Sequence, residues 1–258
     1  MQLADEPSAS ERKQAAQDRT DAVRLLRHNQ QLTALLEEFE SFSSSVAHDL
    51  RSPLRSIAGY AEVVEQDYGH LIEESGRKCL SIIRTEALRM GGLVDGLVSY
   101  AQLRKRAMDE RTVNMTALAN DVASKLNNSG ASVLEIGELP PAHGDTATLR
   151  LVWEHLIGNA IKFTGREKSP LIRISGSSAG AESIYEIADN GVGFDMDSAG
   201  DKLFAVFERQ HHDNEFPGTG MGLASVFRIV RRHHGRVWAT GAVGQGATFS
   251  FALPAGER

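Results

Sequence analysis

Cysteine is almost absent: Cys79 stands alone among 258 residues, so the chain can form neither an internal disulfide nor a multi-cysteine zinc site. No apolar run approaches the roughly 18 residues needed to span a bilayer, and the polar start has no signal-peptide pattern. An excess of basic charge is missing too. The 28 Lys and Arg stand against 34 Asp and Glu, for a net charge of −6, which argues against a general nucleic-acid binder. Proline is scarce, and between residue 21 and about residue 104 only Pro53 occurs. What remains is 41% apolar and 24% charged, a globular balance that excludes wholesale disorder. The length suits one large domain or two ordinary ones, and the expected setting is cytoplasmic.

Three zones follow one another. Residues 1–20 are polar and charged, and read as a frayed start or the stump of a longer protein. A helical zone then carries a heptad seam of Leu25, Leu32, Phe39 and Val46, with Leu35 and Phe42 three residues after two of them. The stripe continues through Leu50, Leu54, Ile57, Ala61, Val64 and Tyr68, breaks near Gly69 and His70, and resumes as Leu80, Ile83, Ala87, Met90, Val94, Leu97 and Ala101. This predicts a helical hairpin, which buries both stripes best by pairing with a second copy into a four-helix bundle. Cys79, near a helix start, reads as a small buried residue.

Beyond about residue 110 short runs alternate between Gly and Pro. Strands are expected at 132–136, 171–176, 183–188, 236–240 and 247–253, and helices at 115–126, 146–163 and 221–234. Strand pairs separated by helices predict an α/β sandwich with helices on one face. The polar, glycine-flanked stretch 195–220 is long enough to read as a lid.

Several local patterns carry chemistry. His48 lies two positions before Leu50, about 200° round the helix, and so faces solvent. Pro53 costs around 3 kcal/mol inside a helix and strips the Asp49 carbonyl of its donor; a local rule broken beside an exposed imidazole marks function. In the helix that follows residue 146, Glu154, Asn159 and Lys162 leave the apolar face. An amide oxygen such as Asn159 suits a hard cation, and Lys162 suits a phosphate. Asp189 closes a strand and precedes Gly191 and Gly193, which let backbone approach a flat ligand. Gly218, Gly220 and Gly222 open a helix whose first N–H groups can bind an anion. The adjacent pairs His211-His212 and His233-His234 lack a carboxylate or Cys to complete a metal set.

In order and spacing these elements resemble a two-component sensor histidine kinase, from about residue 40 to residue 253. His48–Leu54 looks like the H box, 149–164 the N box, 189–194 the G1 box, 203–209 the F box, 218–223 the G2 box and 244–249 the G3 box. The wording around His48 and in the lid leans towards the phytochrome-like, PAS-linked branch. The resemblance implies a linker and coiled-coil helix at 1–40, a dimerisation and phosphotransfer hairpin at 41–106, and at 111–258 an ATP-binding sandwich of the gyrase/Hsp90/histidine-kinase/MutL type.

It also implies roles. His48 is the nucleophile that takes the γ-phosphoryl group from Mg-ATP, and Asp49 orients its imidazole. Asn159 ligates Mg²⁺, Lys162 neutralises phosphate charge, and Phe163 sits near the adenine. Asp189 reads the adenine amine, with Gly191 and Gly193 allowing close approach and Thr248 supporting the adenine end. Gly218, Gly220 and Gly222 form the lid hinge, Phe204 and Phe207 anchor the lid, and Arg209 faces the γ-phosphate. The implied partners are a second copy, an upstream sensor and a response-regulator receiver domain. Two positions depart from the family pattern: His155 stands where Asn is usual, and Ser52 stands at the position tied to phosphatase activity. A non-catalytic dimeric scaffold and a gyrase- or chaperone-type ATPase are the competing readings.

Overall fold

The structure, a computed structural model, describes residues 9–103, 107–127, 130, 132–208, 210, 216 and 218–255. Helix α1 (Ala9–Tyr68) runs unbroken through Pro53 for about 90 Å at 1.5 Å per residue. A 3-10 turn, Gly69–Leu71, reverses the chain into α2 (Glu74–Gln102), where the apolar stripe breaks. The two helices pack antiparallel, and four alanines, Ala47, Ala58, Ala61 and Ala87, are buried with Leu54. Register is fixed by Arg51, whose Nε and Nη2 donate to Asp95 Oδ1 at 2.9 and 2.7 Å.

Half of the expected seam is not used within one chain. Leu50, Ile57, Ile83 and Met90 remain 41–48% exposed, beside the buried row rather than in it. In the N-terminal part of α1, Leu25, Leu35 and Val46 are exposed as well, while the side chains of Leu32, Phe39 and Phe42 lie outside the described residues. Cys79 corrects its expectation: it is exposed, because one residue before Leu80 it is turned about 100° off the packed row.

The second half is a sandwich. Strand β1 (Glu110–Val113) leads to α3 (Met115–Leu126), β2 (Val133–Ile136), β3 (Ala142–Asp145) and α4 (Thr146–Thr164). Then come β4 (Leu171–Ala179), β5 (Glu182–Asp189), the one-turn α5 (Met196–Ala199), a 3-10 segment at Gly200–Phe204, α6 (Gly222–Arg232), β6 (Arg236–Gly241) and β7 (Ala247–Pro254). The main sheet has the order β2-β4-β5-β7-β6, with β2 and β4 parallel and the other pairs antiparallel. The short pair β1–β3 forms a separate antiparallel ribbon.

Alternation along β4 exposes Arg173 and buries Ile172 and Ile174, so one sheet face meets helices α3, α4 and α6. At its centre Trp153 meets Phe251 and Tyr185 edge-on, with ring centroids 5.3 and 6.0 Å apart. Tyr185 stacks on Phe251 at 4.8 Å and donates its hydroxyl to the Pro140 carbonyl at 2.9 Å. Truncating a ring of this size in such a core costs about 3–5 kcal/mol. No helix among the described residues is long and apolar enough to cross a membrane.

Candidate active site

His48 is a solvent-facing group on the hairpin. Its side chain is 82% exposed and that of Asp49 77%, with Nδ1 and Oδ1 3.4 Å apart. Ala47 on this turn is buried, and Ser52 lies exposed one turn further on. Because Arg51 is level with Asp95 in an antiparallel pair, His48, a turn before Arg51, is level with Ser99, a turn after Asp95.

Ser99 and Gly96 help to wall a cavity of about 340 Å³ that otherwise belongs to the sandwich, within the range of small-molecule sites. Helix α4 supplies one side. Asp145 caps it, its carboxylate accepting from the Thr148 N–H at 2.8 Å. The apolar face of α4, including Leu149, Val152, Trp153 and Leu156, is spent on the core, which leaves His155, Asn159 and Lys162 for the cavity. Phe163 lines it too, with Lys162 Nζ 4.1 Å above its ring and the buried Phe216 ring at 5.1 Å.

Asp189 ends β5 inside the cavity. Burial pushes its carboxyl above the usual carboxylate range, offset in part by N–H groups of Gly191 and Ala247 that donate to it; the Gly191 bond is 2.9 Å. Gly193 lines the cavity with φ +61°, and a Cβ there would overlap the carbonyl oxygens of Ala242 and Gly246. Across the mouth Gly218, Gly220 and Gly222 lead into α6. Gly220 has φ +69°, and its carbonyl accepts the Phe207 N–H at 3.2 Å. This places backbone N–H groups and Lys162 at one side of the cavity, where they suit an anion. The carboxylate of Asp189 and the rings of Phe194 and Phe249 also line the cavity, and suit an amine-bearing flat ring.

Three expected placements differ from the described geometry, and one lies outside it. Gly191 is buried and does not line the cavity: a Cβ there would strike the Phe163 carbonyl, so its smallness lets the β5 end close on α4 rather than on a ligand. Thr248 does not line it either; Ala247 and Phe249 do, and strand alternation sends the intervening side chain to the other face. Phe204 is half-buried against the core, but Phe207 is 51% exposed with φ +67°, so one of the two rings packs on the core and the other does not. Arg209 and the pair His211-His212 lie outside the described residues. Phe216, Ala247, Ser99 and Gly96 were not singled out from sequence; each joins the site only through tertiary contact.

His155 is half-buried in this cavity, and burial lowers its pKa below the ordinary imidazole value. Among the described residues no cluster of three or more His, Cys, Asp or Glu side chains could hold a metal. The donor set nonetheless fits a divalent ion shared with phosphates, since Asn159 offers a neutral amide oxygen in the same cavity as Lys162. Helix α6 ties the sandwich to the hairpin: Arg228 Nη1 donates to the Tyr100 carbonyl at 2.7 Å and stacks 4.1 Å over its ring, and Arg232 donates to the Leu103 carbonyl.

Two family models cover most of this architecture. The His Kinase A (phospho-acceptor) domain matches residues 40–106, and the histidine kinase-, DNA gyrase B- and HSP90-like ATPase matches residues 144–257. The chain belongs to the two-component sensor histidine kinases and carries the phospho-acceptor and ATPase-type domains of their catalytic core. Among similar proteins, the phytochrome-like protein Cph1 of Synechocystis sp. is 32% identical over 90% of this chain and 32% of its own. Cyanobacterial phytochrome A of Nostoc sp. is 30% identical over 86% and 29%. The chain thus spans about a third of the length of these relatives. The crystal structure of full-length ShkA in complex with AMPPNP matches with a TM-score of 0.59 at 25% identity, over 83% of this chain and 45% of that one. The histidine kinase AdeS of Acinetobacter baumannii shares the fold, with a TM-score of 0.55 at 20% identity over 81% and 98%.

Proposed function

We propose that the chain phosphorylates His48 from Mg-ATP and passes the phosphoryl group to an aspartate of a response-regulator receiver domain. The observation that carries this reading is the exposed imidazole of His48, beside Asp49 and level with Ser99 in the wall of the nucleotide cavity. With Nδ1–H directed at Asp49, the Nε2 lone pair faces solvent as the nucleophile. Attack forms the Nε2–P bond and breaks the bond from the γ-phosphorus to the bridging oxygen, so ADP leaves; Asp49 stabilises the charge on the ring and takes the Nδ1 proton.

In the cavity Asp189 accepts from the adenine amine while Lys162 and the α6 N-terminus hold the phosphates. Mg²⁺, when bound, neutralises phosphate charge, and Asn159 is the residue placed to hold it. The proposed units are 1–40 as signalling helix, 41–106 as phosphotransfer hairpin and 111–258 as ATP-binding domain. A second copy covers Leu50, Ile57, Ile83 and Met90 to complete a four-helix bundle, and an upstream sensor acts through α1. A cytoplasmic setting, where ATP is available, goes with this reading. The comparisons give a non-catalytic scaffold no support.

The test is a chase. Labelled protein, freed of ATP and mixed with a receiver domain, should lose its label to the receiver's aspartate. Label that stays on the chain with every receiver tried would overturn the transfer step.

A further inference from the structure

We propose that His155 is a ligand to the divalent ion that accompanies the nucleotide, and that it tilts the site from Mg²⁺ towards Mn²⁺. This rests on the nucleotide reading of the same cavity. His155 and Asn159 are four residues apart on α4, one turn above the other on the same face, and both line the cavity. Neither nitrogen of His155 has a hydrogen-bond or ion-pair partner among the described residues. Gly222, the first residue of α6, abuts the ring, where a Cβ would stand 3.4 Å from Nδ1. The imidazole is therefore held between two helices with no protein partner among the described residues, in a cavity that Asn159 and Lys162 also line.

The choice of ion follows from donor chemistry. Mg²⁺ is hard, takes oxygen ligands and gives up its waters reluctantly. An imidazole nitrogen is a softer donor than an amide oxygen and favours first-row transition ions; Mn²⁺ shares the oxygen preference of Mg²⁺ but, as a transition ion, loses less by taking one nitrogen in its shell. An asparagine at 155 would offer oxygen; the histidine offers nitrogen. The ion's remaining ligands would be phosphate oxygens of the nucleotide, with His155 and Asn159 as the residues that would hold it.

The experiment uses the full chain with AMPPNP and either Mn²⁺ or Mg²⁺. Pulsed electron paramagnetic resonance of the Mn²⁺ complex should show modulation from a directly bound imidazole nitrogen, absent in His155→Asn. Calorimetry should find the Mn²⁺-to-Mg²⁺ affinity ratio about tenfold lower in His155→Asn, the effect of about 1.4 kcal/mol at one ligand. His155→Gln, which also keeps an amide in place of the ring, serves if the Asn variant does not fold. Binding with both ions but no nitrogen modulation overturns the assignment, as does modulation that persists in the variants. Failure of AMPPNP to bind with either ion overturns the nucleotide reading, and the assignment with it.

Discussion

Replacing His233 by Leu should loosen the sandwich at the root of its nucleotide helix. His233 is buried at the end of α6, with Nδ1–H donating to the Ile229 carbonyl at 2.8 Å and Nε2 accepting the Asp145 N–H at 3.1 Å. Asp145 is the cap of α4, which carries Asn159 and Lys162. Leucine fills the space but accepts nothing, so the buried Asp145 N–H is left unsatisfied at about 1–3 kcal/mol, and loss of the Ile229 bond adds about 1 kcal/mol. A total of roughly 2–4 kcal/mol is expected by urea unfolding at neutral pH. His233→Gln, whose side-chain oxygen can reach the Nε2 position, should cost less than half of that.

The pH dependence has a definite sign. Burial lowers the His233 pKa below its ordinary 6.5; Arg232 adds to this, while the Ile229 carbonyl, Glu110 and Asp145 oppose it. The unfolded state therefore binds the proton more readily, and stability is lost as pH falls through 6.5 towards the folded-state value. His155, lowered by burial alone, contributes a slope of the same sign, so His233→Leu should flatten the acid limb in part. A variant within about 0.5 kcal/mol of the parent, or an unchanged acid limb, would refute the tie between α6 and the α4 cap.

Asp189→Asn should weaken nucleotide affinity about tenfold to a hundredfold in a fluorescent-nucleotide titration, because a hydrogen bond to a charged acceptor contributes about 1.5–3 kcal/mol; unchanged affinity would remove Asp189 from base recognition. Gly96→Leu should pry the sandwich off the hairpin, since a Cβ there already stands 2.9 Å from Met221 Cγ. Hydrogen exchange should rise around Tyr100 and Arg228, and unaltered protection would contradict the contact. Two residues inserted near Glu40 rotate the N-terminal seam by about 200° and should change kinase activity, whereas seven should preserve it; equal activity would make α1 a tether.

The regular elements were legible because their patterns are long. Met115–Leu126 coincides with the expected helix, and strands β4 to β7 extend the expected ones by one to three residues. Strands β1 and β3 were not legible: Ala142–Asp145 is Ala-His-Gly-Asp, without a β-branched or aromatic residue, and it exists by pairing with β1. The hairpin stripe was legible as a whole, but not its division into a row packed on α2 and a row left exposed, since both fall on one broad face. The polar cavity residues Asn159, Lys162 and Asp189 interrupt apolar patterns and could be found. His233 could not, because its partner Asp145 is 88 positions away. Thr248 stands between the cavity-lining Ala247 and Phe249, and in a strand one position is the other face.

The most direct measurement is incubation of the chain and its His48→Gln variant with γ-labelled ATP and Mg²⁺, followed by acid treatment and peptide mapping. The parent should carry acid-labile label confined to His48. The variant should carry none while binding nucleotide as the parent does, because His48 is exposed on the hairpin and does not line the cavity. Acid-labile label of equal extent in the His48→Gln protein would place the phospho-acceptor on another residue and contradict the assignment of the hairpin histidine.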